Sequence, residues 1–444
     1  MWFERLTGFS ESDGVVARLR EDGPFLESVA DGRRWRRGEF DVVALEELRR
    51  RRDRTPFAPE APRLTTVREV VADVRDLHAD PASAGATFQV ASQFNMLEMI
   101  SPDVTPEDGV ERYELDPTQG PACAIACGAG TIHRNWFVPV GSGADVVRGQ
   151  SAGRQLNGLA ELAAALDLTV DMRNGYAFIA PDELARVGEH LHGLSGPQRD
   201  ELAGLLRVGV QADTEVTLPG AGHTVTQVFC SALPVAYVGG DLWRWEPLAR
   251  LVLDAAYEAT LAAAVAAASR SGNRTVHLTL LGAGAFGNPV SWVLDALQRS
   301  VRLHLVAGLD VRVVSHGRSQ PALAARLDAT PSWADALFDG TPSRWGLRGD
   351  PYLWRDLHAA VRAVPQEPPS RAALADLLAG QLHRLAGVDV RAPVDAPVHV
   401  PRFPTSGMSG GWVAPAFWRD VAVPLLLDRW AASPLRSAER PPVS

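Results

Sequence analysis

A glycine-rich loop is the stretch of the sequence whose residue types are most clearly suited to chemistry. The glycines of Gly282-x-Gly284-x-x-Gly287 follow the apolar run Val276 to Leu281 and precede a helical pattern, with Pro289 near its first turn. Glycines let backbone N–H groups face an oxyanion, and a helix N-terminus adds roughly half a positive charge. Proline is tolerated in a first helical turn, where its missing N–H costs nothing. The loop is therefore predicted to bind phosphate.

The same glycine spacing is the formal fingerprint of dinucleotide-binding folds, but two features disfavour that interpretation. Such folds place an acidic residue about 20 positions further on, at the end of the second strand. Asp310 lies at that distance, yet it precedes the predicted strand "VRVVSH" instead of ending it. The fingerprint should also open a series of strands, and only one more strand is predicted after it. A Rossmann-type NAD(P)-dependent oxidoreductase is therefore the less favoured alternative.

Polar residues gather at the end of another predicted strand. The stretch "ATFQVASQFNMLEM" indicates a buried strand around Phe88 and Val90, followed by Gln93, Asn95 and Glu98. In α/β sheets, ligands bind at the carboxyl ends of the strands. We therefore expect these side chains to lie near a ligand.

Two carboxylates lie nearest the predicted binding segments. They are Glu98 and Asp116, and the second precedes "TQGPACAIACGAG", in which Gly120 and Pro121 stand where a helix could begin. Either carboxylate could act as a general base or bind a ribose hydroxyl. The alternative is that both are surface carboxylates that cap a helix or a loop.

Composition and charge exclude several classes of function. The chain of 444 residues has a net charge of −9, whereas a non-specific nucleic-acid binder needs a basic face. All 44 basic residues are arginine, which excludes a Schiff-base lysine and a Walker lysine. Any anion must therefore be bound by arginine, by backbone N–H groups or by helix ends.

The three cysteines indicate neither a disulfide framework nor a metal site. Cys123, Cys127 and Cys230 are too few for a disulfide scaffold. Cys123 and Cys127 with His133 could suggest a metal, but zinc sites usually use four ligands at tighter spacing. We predict buried thiols, no metal and no cofactor. A reactive Cys127 and a phosphate-binding Arg134 are less favoured than a buried thiol and an exposed arginine.

The termini and the apolar runs predict a cytoplasmic protein. The start "MWFERLTGFSESDG" has no basic segment followed by an apolar run, so we expect no secretory signal. The apolar stretches are short and interrupted, so no membrane span is predicted.

The predicted elements alternate between strands and helices, which favours the α/β class. "TTVREVVADVRDLHAD" has helical spacing and is predicted to be a helix ended by Pro81. A hairpin turn is predicted at Asn174-Gly175, and "VTQVFCSALPVAYV" is predicted to be a strand that leads into a loop. A long alanine-rich helix then ends at Ser271-Gly272-Asn273, and "DVRVVSH" is the last predicted strand.

The glycine loop and its neighbours resemble a known family. "GAGAFGNP" after a strand resembles the late phosphate loop of macro domains, in particular of the poly(ADP-ribose) glycohydrolase-like branch. "AAYEATLAAAV" is similar to the helix before that loop. The whole of 80–320 also resembles an uncharacterised family of macro-like proteins with the phrases "GPACAIACGAGTI" and "VFCSALPVAY". The resemblance covers about half of the chain.

The resemblance implies a fold and a division into domains. The expected fold is a macro-like three-layer α/β/α sandwich with a mixed sheet, formed by residues 80–325. Residues 1–79 are expected to pack on it as an N-terminal extension. Apart from the resemblance, the Trp-rich sequence after about residue 320 and the linker-like "PQEPPS" predict that residues 340–444 form a small C-terminal domain of unknown role.

The resemblance also implies roles for particular residues. The loop would wrap a diphosphate, Phe286 could stack near a ribose, and Asn95 would contact the distal ribose. The implied ligand-binding residues are Asn95, Gln119, Gly120, Gly282, Gly284, Ala285, Phe286, Gly287 and Asn288.

One departure from the family pattern leaves the catalytic group open. Glycohydrolases of this branch carry a triple glycine followed by Gln-Glu-Glu, where this sequence reads "GPACAIACGAG". Glu98 and Asp116 are therefore the catalytic candidates. The expected ligand is ADP-ribose or a related NAD-derived nucleotide, free or on an ADP-ribosylated substrate. Hydrolysis of an ADP-ribosyl bond is the first hypothesis, and a non-catalytic ADP-ribose reader or sensor is the second.

Overall fold

A seven-stranded mixed sheet forms the centre of the chain. The computed structural model describes residues 1–55, 65–304, 307–321, 323 and 374–380. Met1–Pro56, Thr66–Val301 and Leu309–Asp328 form one compact unit, to which all that follows refers. The predicted C-terminal domain, 340–444, lies outside the described residues except for the helical residues 374–380.

The strands fall into one large sheet and three small ones. Their bounds are β1 Leu19–Asp22, β2 Phe25–Ser28, β3 Arg34–Arg36, β4 Glu39–Ala44, β5 Thr66–Val71, β6 Thr87–Ala91, β7 Pro139–Val140, β8 Val147–Arg148, β9 Asp171–Arg173, β10 Tyr176–Phe178, β11 Arg207–Glu215, β12 Thr224–Cys230, β13 Thr275–Thr279 and β14 Asp310–Ser315.

Helices connect most of these strands. Their bounds are α1 Trp2–Thr7, α2 Val15–Arg18, α3 Leu45–Arg54, α4 Val74–Ala79, α5 Gln119–Ala126, α6 Gly128–Trp136, α7 Ala160–Ala165, α8 Pro181–Gly193, α9 Gly196–Gly204, α10 Val235–Val238, α11 Leu242–Ser271 and α12 Val290–Leu303.

The large sheet has the strand order β4-β11-β12-β6-β13-β14-β5. The pairs from β12 to β5 are all parallel, whereas β11 runs antiparallel to both β4 and β12. Parallel pairing requires crossovers, and the chain supplies them with helices. The sheet is mixed, as predicted.

Helices cover both faces of this sheet. Successive side chains of a strand point to opposite faces. In β6, Phe88 stacks on His78 of α4 with ring centroids 3.7 Å apart, while Gln89 donates a hydrogen bond to Thr260 of α11 at 3.0 Å. The layers therefore follow the predicted α/β/α order, and the predicted fold class is confirmed.

One predicted element is wrong. The stretch "TTVREVVADVRDLHAD" is not a single helix, because Thr66–Val71 forms strand β5 and only Val74–Ala79 is helical. The β-branched residues of the first half pair in parallel with β14. Asp73 marks the true start of the helix, since its carboxylate accepts the N–H of Arg75 at 2.8 Å.

Residues 1–79 do more than pack on the sheet. They contribute β4 and β5, which are its two edge strands. Arg49 of α3 also donates to both carboxylate oxygens of Glu258 in α11, at 2.7 Å each. The N-terminal segment is therefore part of the sheet and of one helical layer.

The long helix α11 is the core helix of the unit. It ends as predicted, with Gly272 in the left-handed region at φ 77°. The expectation of only short apolar stretches is wrong here, since α11 is long and apolar enough to cross a membrane. However, 78% of its most apolar 18-residue window is buried inside the protein.

Candidate functional site

A cavity of about 230 Å³ opens at the carboxyl ends of β6, β12 and β13. Strand β6 lies between the other two, and the chain leaves β6 and β12 towards helices on different faces. Ligands of α/β proteins bind at such switch points. Eight predicted site residues line the cavity: Glu98, Asp116, Gln119, Gly120, Gly282, Gly284, Ala285 and Phe286.

The glycine loop forms one wall and leaves several amides free. Gly282 and Gly287 have φ angles of 74° and 72°, which favour glycine. Within the described residues, the N–H groups of Gly284, Ala285 and Phe286 have no hydrogen-bond acceptor. Because α12 begins just after the loop, its N-terminus adds positive potential. The wall therefore has free donors that suit an anion, and phosphate binding by the loop stays a prediction.

Asn288 and Gly287 shape the loop from outside the cavity. Asn288 is buried, and its Nδ2 donates to the carbonyl oxygens of Leu233 at 2.8 Å and Gly282 at 3.3 Å. A Cβ on Gly287 would lie 2.7 Å from the Cβ of Ala236. Neither residue is among the lining residues of the cavity, and both brace the loops after β12 and β13. Their ligand contacts stay a prediction.

The start of α5 forms the opposite wall. A Cβ on Gly120 would collide with the carbonyl oxygen of Ala91, so glycine lets the helix approach the end of β6. The side-chain oxygen of Gln119 accepts the N–H of Val74 at 2.9 Å. Gln119 therefore ties α5 to α4 while it lines the cavity.

Asn95 lies beneath the cavity and not on it. The residue is fully buried, its Nδ2 donates to Gln155 at 2.8 Å, and its Oδ1 accepts the N–H of Leu97 at 3.1 Å. In this arrangement the side chain holds the loop after β6. The predicted contact with a distal ribose would require these hydrogen bonds to open.

Glu98 is the buried carboxylate of the cavity. Its side chain is 1% exposed, and its Oε2 lies 3.4 Å from Nη2 of Arg134. Its other oxygen, Oε1, has no hydrogen-bond partner. Burial raises the pKa of Glu98 to about 7, although the nearby Arg134 opposes this shift. At neutral pH the group can therefore both donate and accept a proton.

Asp116 lies on the rim of the same cavity in a different environment. It is half-buried, and its Oδ1 accepts the N–H of Thr118 at 2.7 Å, which fixes the turn before α5. This is the helix-start role that the sequence left open as an alternative. Its carboxylate still borders the cavity and can bind a hydroxyl group there.

Three aromatic rings form the remaining wall. Tyr176 of the β9–β10 hairpin, Tyr237 of α10 and Phe286 of the glycine loop have ring centroids 5.3 to 5.7 Å apart. The Tyr176 hydroxyl donates to the carbonyl oxygen of Met99 at 2.7 Å, beside Glu98. This wall offers flat apolar surface to a sugar ring.

The structure also shows the surroundings of Arg134 and Cys127. Arg134 was expected to be exposed, but it is completely buried and its charge faces Glu98. Cys127 is a buried thiol, as favoured from the sequence. Burial raises the pKa of this thiol, which disfavours the alternative of a reactive cysteine. Cys123 and His133 are buried as well, and the described residues contain no cluster that could hold a metal.

The sequence reasoning missed Tyr176 and Tyr237 as members of the site. Tyr176 follows the predicted Asn174-Gly175 turn, and a Cβ on Gly175 would lie within 2.6 Å of Gln93 and Asn95. That close approach brings the hairpin to the end of β6. The sequence indicates the Asn174-Gly175 turn by itself. It does not indicate that this turn packs against the end of β6.

Comparison with known proteins gives structural matches only. No family model and no curated protein matches the chain. Solved structures that match include poly(ADP-ribose) glycohydrolase from Thermomonospora curvata, with 14% identity, a TM-score of 0.37, and coverage of 74% of this chain and 97% of that one. Another is the enzyme from Deinococcus radiodurans in complex with ADP-ribose, with 10% identity, a TM-score of 0.35, and coverage of 65% and 92%.

Proposed function

We propose that the chain binds ADP-ribose, or a related NAD-derived nucleotide, and hydrolyses an ADP-ribosyl bond. The observation that carries the proposal is the pairing of two unlike features in one cavity. One wall presents free backbone amides at a helix N-terminus. Glu98, a buried carboxyl group with one unpartnered oxygen, belongs to the lining of the same cavity. The first suits a diphosphate and the second suits proton transfer.

The size of the cavity indicates which part of the nucleotide it takes. Its volume of about 230 Å³ is smaller than the roughly 300–1,000 Å³ of drug-sized sites. The cavity therefore receives the diphosphate and the ribose next to it, and the adenosine extends outside. The aromatic rings of Tyr176, Tyr237 and Phe286 would flank that ribose.

The chemistry follows from the position of Glu98. A water molecule attacks the anomeric carbon, the bond to the acceptor breaks, and the acceptor group takes up a proton. The protonated form of Glu98 can donate that proton, and the carboxylate can then accept one from water. The loop amides hold the diphosphate during this step without reorganising. Asp116 can bind a ribose hydroxyl from the rim.

Binding is tested at Gly284, where the structure offers a clean substitution. Gly284 has no positive φ, and a Cβ there would meet no atom within 4 Å. Gly284→Glu should weaken ADP-ribose binding at least about tenfold, because a carboxylate then faces the diphosphate. Gly284→Ala, the matched control, should bind like wild type. Titration calorimetry with ADP-ribose, NAD and NADH measures this, and tighter binding of NADH than of ADP-ribose would contradict the proposal.

Turnover is tested with ADP-ribosylated protein or nucleic acid as substrate. Mass spectrometry should show release of ADP-ribose by wild type and a loss of about 10²-fold or more in Glu98→Gln. If both proteins bind ADP-ribose and neither releases it, the chain is a reader. That second function is favoured by one observation, since α5, "QGPACAIA", carries no carboxylate.

A further inference from the structure

We infer that Arg134 positions Glu98 by holding its Oε2, so that Oε1 is the oxygen presented to the substrate. The inference rests on the proposed hydrolysis and adds a residue that does not line the cavity. Arg134 comes from α6, Glu98 from the loop after β6, and the two meet behind the cavity wall.

Arg134 is fixed from three sides before it meets the carboxylate. Its Nε donates to the carbonyl oxygen of Met96 at 3.0 Å, and its Nη2 donates to Oγ1 of Thr131 at 3.2 Å. Its guanidinium carbon lies 3.5 Å from the ring centroid of Phe229 in β12. A completely buried arginine is rare and needs such partners. The cation therefore cannot turn away from Glu98.

Glu98 is fixed from its backbone as well. Its N–H donates to the hydroxyl oxygen of Tyr113 at 3.0 Å, and the side chain then reaches Nη2 of Arg134 at 3.4 Å. The remaining oxygen, Oε1, is buried and without a partner. A buried acceptor left unpaired costs stability, so its retention beside a cavity points to a use there.

Among the described residues, Arg134 is the only cation that acts on the pKa of the Glu98 carboxyl group. The buried titratable groups around the pair are neutral, and Asp116 lines the same cavity as Glu98. The pKa values of Tyr113, Cys123 and Cys127 are raised by burial, and that of His133 is lowered to about 3. The balance between the acid and the carboxylate form of Glu98 is thus set by burial on one side and Arg134 on the other.

The experiment compares Arg134→Met and Arg134→Lys with Arg299→Lys. Arg299 is a matched control, because its Nη1 pairs with buried Glu258 at 2.9 Å and it does not line the cavity. Two quantities are measured in each protein: the pH dependence of kcat and KM for ADP-ribose release, and the titration midpoint of the Glu98 carboxyl carbon. The latter is followed by ¹³C NMR and assigned by its loss in Glu98→Gln.

We expect Arg134→Met to raise the Glu98 midpoint by about one pH unit or more, because the stabilising cation is gone. Its kcat should fall at least about tenfold while KM changes less than about threefold. Arg134→Lys keeps the positive charge, so its Glu98 midpoint and its kcat should lie between those of Arg134→Met and wild type. If Arg134→Met does not fold, Arg134→Lys alone is compared with wild type. Arg299→Lys should lower stability and leave the midpoint unchanged.

Two results would overturn the inference. One is an unchanged Glu98 midpoint in both Arg134 variants, and the other is an equal shift in Arg299→Lys. If wild type releases no ADP-ribose, the proposed hydrolysis is wrong, independently of the role of Arg134. The NMR midpoint then still decides whether Arg134 controls Glu98.

Discussion

Burial separates the two carboxylates that the sequence could not rank. Glu98 is 1% exposed and has one unpartnered oxygen, whereas Asp116 is half-buried and caps the turn before α5. A carboxylate in a low-dielectric site holds its proton to higher pH. Glu98 therefore suits proton transfer near neutrality, and Asp116 suits binding.

The raised pKa of Glu98 predicts a measurable effect on stability. Between pH 4.5 and about 7 the folded chain keeps a proton that the unfolded chain has lost, so this group lowers stability as pH rises through that window. Glu98→Gln removes the effect. The free energy of unfolding of Glu98→Gln, relative to that of wild type, should therefore increase by roughly 3 kcal/mol between pH 5 and pH 8.

Urea unfolding at both pH values measures this difference. The comparison removes any constant effect of leaving Arg134 without a charged partner, because that offset is nearly the same at both ends. Parallel pH profiles of the two proteins would show that Glu98 titrates normally.

At the scale of elements, a row of rings crosses the sheet beneath the site. His78 of α4 stacks on Phe88 of β6, and Phe88 stacks on His277 of β13 with centroids 4.4 Å apart. Both ring nitrogens of His277 are buried without a partner. The row packs α4 against the sheet. Because both imidazoles are buried, the pKa values of His78 and His277 are lowered.

This row predicts a loss of stability in acid. Burial lowers the pKa of His277 to about 3. Between pH 6.5 and 3 the unfolded chain binds a proton that the folded chain does not, so stability falls as pH falls. His277→Phe keeps the stacking and should lessen the loss between pH 6.5 and 4.5 by about 2 kcal/mol. Thermal melts over this range test it, with exposed His190→Gln as control, and an unchanged acid limb would contradict it.

At the scale of the whole molecule, the N-terminal segment completes the sheet from both sides. β4 pairs with β11 and β5 pairs with β14. Arg49 of α3 and Arg299 of α12 both pair with Glu258, which is buried in α11. Loss of Arg49 therefore leaves this buried carboxylate with only one of its two arginines. The described residues on both sides of the boundary predicted near residue 80 therefore belong to one compact unit.

Removal of residues 1–79 tests this arrangement. A chain of residues 80–444 lacks both edge strands and leaves Glu258 without Arg49. We expect it to lose the cooperative thermal transition of the full chain, as followed by far-UV circular dichroism. A cooperative melt at a similar temperature would show that the segment is only an extension, as the resemblance implied.

Local signals in the sequence were enough for the parts of the site that one segment builds. The glycine loop, the strand before it, the polar end of β6 and the stop of α11 at Gly272 all follow from spacing, φ preference and capping. The α/β class followed from the alternation of elements. Each of these features depends on residues that are neighbours along the chain.

Only the tertiary structure decided which residues meet. It made "TVREVV" a strand, since parallel pairing with β14 outweighs helical spacing. It brought Tyr176 and Tyr237 to Phe286, and buried Arg134 behind Glu98. Parallel strands place the ends of distant segments side by side, and burial then sets the pKa of whatever they carry. Neither effect is encoded in the spacing of any single segment.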